Sequence, residues 1–316
     1  MTRILKFGLI AALLSWDLPA RAENRALLVG VSVYANLPDK NLVGAANDVA
    51  LMAKTITGLG FAPAQMTLLS EAAGALPTRA NILAGLAGLA GLAGQARQGD
   101  WVLVYLSGHG AQVPKAGQQG QGGDMDEVFL PRDTQVWHPA TQAVEGALRD
   151  RELAAALSRI RAKGAHVWAI LDTCHSADML RKPGPPQAWR FIAPEALHIP
   201  MQLWAARGFS PTTRNMTSPR VRGVATGRFV GFYSSQKGEG SAEEMLPDPA
   251  QPAQVKRFGL FTYKFAMAAL EWRGSFKALA ERIETGYQDR PFPTPEFVGS
   301  LEITPEFGGM GGSSRP

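Results

Sequence analysis

Two apolar, β-rich runs that each end in a reactive side chain place the strongest constraint on the fold. The first covers residues 101–106 and is followed by Ser-Gly-His-Gly, with His109 between two glycines. The second covers residues 166–171 and leads into Asp-Thr-Cys-His-Ser, which contains Cys174, the only cysteine in the chain. Continuous apolar runs of this kind are typical of buried strands in a parallel sheet. Sites in such sheets form beyond the carboxyl ends of the strands, where both side chains are predicted to lie.

Further strand-like runs alternate with segments of helical periodicity. We predict strands at residues 25–33, 66–69, 101–106, 128–130, 166–171 and 229–234. Helices are predicted to begin near Asn47, Thr78, Arg151 and Phe261, and the second carries a stripe of leucines at every third position up to residue 92. Alternating strands and helices predict an α/β fold with a mostly parallel central sheet and helices on both faces.

The first 22 residues have the pattern of a signal peptide. Arg3 and Lys6 precede an apolar run over residues 7–16, and Pro-Ala-Arg-Ala follows at residues 19–22. Asp17 ends the run well short of the roughly 20 apolar residues that a membrane span needs. We therefore expect cleavage after Ala22, export to the periplasm or out of the cell, and no membrane insertion afterwards.

Positive charge is concentrated in one stretch of the chain. The formal net charge is +5, and residues 176–230 hold eight Lys and Arg against Asp178 and Glu195. These basic residues are scattered among Pro, Gly and Thr, without the aromatic or motif support of a nucleic-acid-binding face. Long segments with little periodicity are usually functional or disordered. We interpret residues 181–228 as a basic, flexible linker and predict no nucleic-acid partner.

The pairing of His109 with Cys174 predicts a nucleophilic site. Cysteine attacks as the thiolate, and a neighbouring histidine that takes its proton supplies the activation. If the two strands are neighbours, about 4.8 Å apart, their end loops bring imidazole and thiol within reach. Acyl transfer also needs donors for the developing oxyanion, and the backbone N–H groups of Gly110 and Cys174 are the candidates.

Asp172 suggests what the site recognises. It lies two residues before Cys174, and in extended backbone both side chains share one face. An acidic pocket there would bind Arg or Lys through charge-assisted hydrogen bonds. The alternative is that Asp172 only caps the following turn.

At this point the chain resembles the caspase/metacaspase family of cysteine peptidases. Residues 105–110 (Tyr-Leu-Ser-Gly-His-Gly) are similar to the family's histidine motif and residues 172–176 to its cysteine motif. Segments 42–49, 126–133 and 259–262 match in the same order, so the resemblance covers about residues 24–305. One departure is Ala177, where the family's cysteine motif commonly has glycine.

The resemblance implies a caspase-like three-layer sandwich and an endopeptidase that cuts after Arg or Lys. Residues 23–180 would be a large-subunit-like part with the catalytic dyad, residues 229–305 a small-subunit-like part, and residues 306–316 a disordered tail. Asp48 and Asp172 would line the pocket for the basic residue, with Ser107 nearby. Self-processing would fall in the linker, where the candidate cut sites are Arg181, Lys182, Arg190, Arg207, Arg214, Arg220, Arg222 and Arg228.

The resemblance leaves a requirement for calcium open. Many members are activated by calcium held in an acidic cluster, and Asp124, Asp126 and Asp150 are the candidate ligands here. However, Arg181 and Lys182 follow the cysteine loop where an additional acid is often found. We expect no required cofactor, and the lack of metal-ligand spacing among Cys and His argues against a catalytic zinc.

Two other functions stay open from the sequence. One is a catalytically silent caspase-fold module that binds peptides or partners. The other is a legumain-like or clostripain-like cysteine protease of different specificity. The expected partner in the peptidase reading is a polypeptide substrate, and the sequence does not indicate an oligomeric state.

Overall fold

Strands and helices alternate through most of the chain. The computed structural model describes residues 22–88, 91–115, 125–174, 188–204, 226–236, 239–270, 272–290 and 292–307. The strands in chain order are β1 (Asn24–Gly30), β2 (Met66–Leu69), β3 (Trp101–Ser107), β4 (Gly110–Pro114), β5 (Met125–Phe129), β6 (Trp137–His138), β7 (Ala143–Val144), β8 (Leu148–Arg149), β9 (His166–Asp172), β10 (Ala188–Trp189), β11 (Phe191–Ile192), β12 (Phe229–Tyr233), β13 (Ala242–Asp248), β14 (Gln251–Gly259) and β15 (Glu296–Gly299). The helices are α1 (Gly44–Gly58), α2 (Arg79–Ala87), α3 (Leu92–Gln95), α4 (Asp150–Ala162), α5 (Leu260–Ala269) and α6 (Phe276–Thr285).

The central sheet has six strands in the order β15-β12-β9-β3-β1-β2. Every neighbouring pair is parallel except β12 with β15, which is antiparallel. The two strands that precede the reactive side chains, β3 and β9, lie side by side. The predicted mostly parallel sheet is therefore confirmed.

Both faces of the sheet are covered by helices. Along β3, Val102, Val104 and Leu106 pack into one apolar cluster with α2, α3 and α4. Trp101, Leu103 and Tyr105 alternate with them and pack into a second cluster with α1, α5 and α6. This alternation follows from the period of two in a strand, and it confirms the predicted three-layer sandwich.

Two helices differ from their predicted bounds. α1 begins at Gly44 rather than at Asn47, where the N–H groups of Gly44 and Ala46 donate to Glu243 and to the Ser32 hydroxyl. The Asn47 side chain instead donates to the carbonyl of Arg257. The leucine-rich segment begins as predicted, with the Thr78 side chain accepting from Asn81, but α2 ends before Gly88. Glycine favours breaks of this kind because it costs a helix about 1 kcal/mol relative to alanine.

Two small sheets flank the carboxyl edge of the central sheet. One has the order β11-β4-β5-β8 and the other the order β10-β13-β14. The short strands β10 and β11 are consecutive in the chain, but they pair with different sheets, β10 with β13 and β11 with β4. The chain segment between these strands therefore crosses the region where β3 and β9 end.

Residues 188–204 differ from the prediction of a flexible linker over residues 181–228. Ile192, Leu197 and Ile199 are buried in the cluster beside α2 to α4, and each such burial contributes about 1.5–3 kcal/mol relative to an exposed side chain. Residues 226–228 of the predicted linker are also described, whereas residues 181–187 and 205–225 lie outside the described residues, as do most of the predicted signal peptide and tail. Where the chain is described, no helix is long and apolar enough to cross a membrane.

Candidate active site

The structure brings His109 and Cys174 to the same edge of the central sheet. Ser107 and Asp172 are opposite each other at the ends of β3 and β9, and each reactive residue follows two positions later. Both side chains are buried. A Cβ atom on Gly110 would lie 2.0 Å from the Cys174 carbonyl oxygen, so the two strand ends approach this closely only because residue 110 is glycine.

The imidazole of His109 is held in one tautomer. Its Nε2 is 2.8 Å from the backbone carbonyl of Lys40, and since a carbonyl only accepts, Nε2 carries the proton. Nδ1 is buried and has no hydrogen-bond partner among the described residues. Burial lowers the pKa of His109 to about 4, with the Lys40 carbonyl opposing the shift and the Arg190 charge adding to it. Nδ1 of a neutral imidazole is thus the nitrogen that can accept a proton.

Tyr34 holds the backbone of His109, and Glu239 contacts the side chain of Cys174. The Tyr34 hydroxyl accepts a hydrogen bond of 2.7 Å from the His109 N–H, and the two rings lie 5.0 Å apart. The Cys174 thiol donates to the carbonyl of Glu239 at 3.1 Å. The thiol sulfur is therefore directed at a backbone oxygen.

The carbonyl of Arg190 occupies the position expected for a reacting peptide carbonyl. Its oxygen accepts hydrogen bonds from the backbone N–H of Gly110 at 3.0 Å and of Cys174 at 3.3 Å. These are the two donors that the sequence suggested for an oxyanion. The Arg190 backbone is also close enough to the imidazole of His109 to raise its pKa.

The backbone around Arg190 is held as an extended strand. β10 pairs antiparallel with β13, and the Arg190 N–H donates to the carbonyl of Ser241 at 2.9 Å. On the other side, Phe191 pairs with Gly110 in the parallel β11–β4 ladder. Extended peptides commonly bind proteins by adding a strand in this way.

The side chain of Arg190 is completely buried in an acidic pocket. Its Nη2 lies 2.5 Å from Asp48 and 3.1 Å from Glu243, and its Nη1 lies 3.0 Å from Asp172. Nη1 also donates to the Ser107 hydroxyl at 2.9 Å and to the Asp172 carbonyl at 3.1 Å. All three residues predicted for substrate binding, Asp48, Ser107 and Asp172, therefore contact one guanidinium.

Each pocket carboxylate is fixed by a different element. Asp48 lies on α1 and accepts from the Ser107 hydroxyl at 2.9 Å and from the Gly259 N–H at 2.8 Å. Asp172 accepts from the Thr262 N–H at 3.1 Å and from its hydroxyl at 2.6 Å. Glu243, from β13, accepts from the N–H groups of Val43 and Gly44 at the start of α1. The pocket is rigid because every acid is bonded to the frame around it.

The pocket has more negative charge than its single cation neutralises. The pKa of Asp48 is raised to about 7, chiefly by burial and also by the charges of Asp172 and Glu243, while Arg190 opposes the shift. Three carboxylates around one guanidinium favour retention of a cation or, failing that, uptake of a proton. The arrangement can bind a basic side chain and present the attached carbonyl to Cys174.

Comparison with known proteins identifies the family of the chain. The family model described as metacaspase, peptidase C14 domain, matches residues 24–183, half of the chain. The chain belongs to the metacaspase family. Similar relatives are Metacaspase-1 of Mycosarcoma maydis, 27% identical over 227 residues, and Metacaspase III c of Phaeodactylum tricornutum, 29% identical over 166 residues. These matches cover 71% and 52% of this chain and 52% and 46% of the relatives, so the chain spans about half the length of these curated metacaspases.

A solved structure supports the fold of this metacaspase chain. A crystal structure of a Geobacter sulfurreducens protein superposes with a TM-score of 0.60 at 20% sequence identity. The match covers 90% of this chain and 96% of the other. At this identity the likeness concerns the fold alone.

Of the three acidic residues suggested for calcium, the structure describes two, Asp126 and Asp150, and the Asp126 charge contributes to the raised pKa of Asp150. Asp124 lies outside the described residues. Asp126 is 2.5 Å from the guanidinium of Arg149 and 3.5 Å from that of Arg151. Asp150 accepts from the Arg151 N–H at 2.6 Å, and burial raises its pKa. Within the described part of this metacaspase chain, no group of three or more His, Cys, Asp and Glu side chains is arranged to hold a metal.

Sequence reasoning missed several residues of the site. Lys40 acts only through its backbone carbonyl, which leaves no mark on its side-chain identity. Glu243 belongs to a β-hairpin that was not predicted. Arg190 was one of eight basic candidates in the linker. Its apolar neighbours Trp189 and Phe191 are a signal that could have separated it from the other seven.

Proposed function

We propose that this chain is a cysteine endopeptidase that hydrolyses peptide bonds after Arg or Lys. The observation that carries the proposal is the binding of Arg190, whose side chain fills the acidic pocket while its carbonyl oxygen accepts from Gly110 and Cys174. These contacts support the proposal, because a substrate with a basic side chain would use the same acids and the same backbone donors. Hydrolase activity, polypeptide substrates and export are all part of the proposal.

His109 and Cys174 divide the chemistry between them. Nδ1 of His109 takes the thiol proton, and the thiolate attacks the carbonyl carbon, forming the C–S bond. The oxyanion is stabilised by the Gly110 and Cys174 N–H groups, a type of donor whose removal commonly costs 10²–10³ in rate. The imidazolium then protonates the departing amine as the C–N bond breaks. Water hydrolyses the thioester, with His109 again acting as base.

The pocket favours a planar guanidinium, which has two terminal nitrogens, over an ammonium. The two terminal nitrogens of Arg190 contact different acids, Nη2 with Asp48 and Glu243 and Nη1 with Asp172. A lysine ammonium is a single point of charge and meets fewer of these groups at once. We therefore expect Arg to be preferred over Lys before the cut bond.

The same contacts support the Arg190–Phe191 bond as the one that the enzyme cuts in its own chain. Before this bond is cut, Arg190 blocks the pocket, so the uncut chain is inhibited toward other substrates. Loss of the bond allows the Arg190 end to leave the pocket and an external Arg or Lys to enter. Activation by calcium stays a separate proposal, because it does not follow from these contacts.

The test uses mature protein and fluorogenic peptides that end in Arg, Lys, Asp or Asn. We expect release from the Arg peptide to exceed that from Lys, with no release from Asp or Asn. Cys174→Ala and His109→Ala should remove the activity, and parallel assays with calcium or with a chelator measure its effect. Equal rates on all four peptides, or a Cys174→Ala protein as active as the wild type, would exclude this function.

A further inference from the structure

The leaving-group side of the Arg190–Phe191 bond is built into the folded domain. Phe191 and Ile192 form β11, which pairs with Gly110 and Ala111 of β4. Downstream, Leu197 is 0% exposed and Ile199 is 4% exposed, and both belong to the cluster beside α2 to α4. In ordinary proteolysis the amine product diffuses away before water arrives. Here the described contacts of the segment that begins at Phe191 are made by residues that follow the bond that is cut.

Cutting therefore leaves the new amine beside the nucleophile. The Arg190 carbonyl oxygen accepts from the Cys174 N–H at 3.3 Å and from the Gly110 N–H at 3.0 Å, and the Phe191 nitrogen is one bond from that carbonyl. Ile192, which follows directly, is 1% exposed. An amine tethered in this way competes with water at an effective concentration of about millimolar or higher. A favourable orientation towards the thioester carbon would raise its rate of attack further.

We propose, resting on the peptidase function above, that the chain cut after Arg190 also forms peptide bonds. The α-amine of Phe191 competes with water for the thioester on Cys174. In this step the amine nitrogen attacks the thioester carbon, a C–N bond forms and the C–S bond breaks. His109 takes the proton lost by the amine and returns it to the Cys174 sulfur. No oxidant, reductant or further reactant is needed.

Two substrates follow for this transfer. With the Arg190 end still acylating Cys174, the step reseals the original chain. An external peptide that ends in Arg can replace the Arg190 end in the acidic pocket and acylate Cys174. Its acyl group is then joined to Phe191, which stays in place. Transfer requires the neutral amine, whose ordinary pKa is about 7.7–8.0. The share of transfer therefore rises as pH rises towards 8.

The test uses the full chain after its own cut, incubated with an N-blocked Ala-Trp-Arg coumarin amide, which copies residues 188–190. Coumarin release reports acyl-enzyme formation, and intact mass with fragmentation reports the fragment that begins at Phe191. We expect that fragment to gain the blocked tripeptide. The gain per coumarin released should be more than about tenfold higher at pH 8 than at pH 6, because far less of the amine is neutral at pH 6.

A matched pair of variants tests the anchoring. Leu197→Ala loosens a buried contact of the segment, whereas Glu195→Ala changes an exposed residue in the same turn. Transfer per coumarin should fall about tenfold in Leu197→Ala and stay unchanged in Glu195→Ala. If Leu197→Ala does not fold, the pH contrast in the wild-type chain decides alone.

The outcomes separate this inference from the function on which it rests. Coumarin release with an unmodified Phe191 fragment at both pH values refutes transfer and leaves the peptidase intact. Absence of coumarin release refutes both. Coumarin release without a cut after Arg190 refutes transfer alone.

Discussion

Replacing Arg190 with alanine removes the only guanidinium from a pocket in which, in the described structure, three acids contact it. Asp48, Asp172 and Glu243 are all buried, so Arg190→Ala leaves buried carboxylates without their counter-ion. We expect the variant to be folded but clearly less stable than the wild-type chain. Self-cleavage at position 190 should also be lost.

The expected loss of stability can be worked from these contacts. Removing one partner of a buried ion pair costs about 3–5 kcal/mol. For a domain of this size each kcal/mol lowers the melting temperature by about 2–4 °C, which gives a decrease of about 6–20 °C. The acids can offset part of this by binding protons. Burial raises the pKa of Asp48 to about 7 even with Arg190 present, and Arg190 lowers it, so removal of Arg190 moves this pKa further up. The stability that the proton provides is therefore present at low pH and is lost as pH rises above about 7.

Thermal unfolding at pH 6 and pH 8 measures both effects. All proteins compared carry Cys174→Ala, so that the reference chain stays uncut with Arg190 in the pocket. The Arg190→Ala melting temperature should lie further below this reference at pH 8 than at pH 6. Ethylguanidine replaces the deleted atoms, and at 100 times its Kd it should restore about 2.7 kcal/mol to the variant while leaving the reference unchanged. Arg228→Ala is the control, because Arg228 is exposed. An equal loss in Arg228→Ala, or equal stabilisation of variant and reference by ethylguanidine, would refute the reasoning.

Three further predictions concern activity. Glu243→Gln should lower kcat/KM for Arg peptides at least about tenfold and for Lys peptides less, since truncating a buried charge partner costs about 2–5 kcal/mol; an equal effect on both would contradict the role of Glu243 in selectivity. Gly110→Ala should lower Arg-peptide hydrolysis at least about 100-fold, the effect of losing an oxyanion donor, because its Cβ would lie 2.0 Å from the Cys174 carbonyl oxygen. Gly58→Ala, where a Cβ meets nothing within 4 Å, is the matched control and should keep full activity. Finally, kcat/KM for Arg peptides should fall as pH is lowered, because Asp48 then binds a proton in competition with the substrate cation. The midpoint should lie above about 7, since kcat/KM reports the empty pocket and the Asp48 pKa of about 7 includes the lowering effect of Arg190; an acid limb that is the same in Asp48→Asn would show that another group titrates.

The central sheet was predictable because its strands are buried on both faces. Such strands are continuous apolar runs, and His109 and Cys174 follow two of them directly. Strand ends in a parallel sheet meet at one edge, so the convergence of the two residues followed from topology. Asp172 followed from the period of two, and Asp48 and Ser107 came from motif resemblance.

The parts that could not be predicted depend on long-range contacts. Arg190 stands in a Pro- and Arg-rich stretch, and its burial depends on acids contributed by α1, β9 and β13, none of them local in sequence. The role of Lys40 is carried by a carbonyl that every residue possesses. Glu243 is the second residue of β13, which forms a hairpin with β14. Because β14 is mostly exposed, it lacks the apolar run that identifies a buried strand, and the hairpin was not predicted.

The intact masses of freshly purified wild-type and Cys174→Ala chains test most directly whether the bound Arg190 is a substrate. We expect the wild-type chain to yield one fragment ending at Arg190 and another beginning at Phe191, and Cys174→Ala to stay uncut. The same two fragments from Cys174→Ala, or a wild-type chain cut only at other basic residues, would contradict the assignment of Arg190 as the residue that Cys174 attacks.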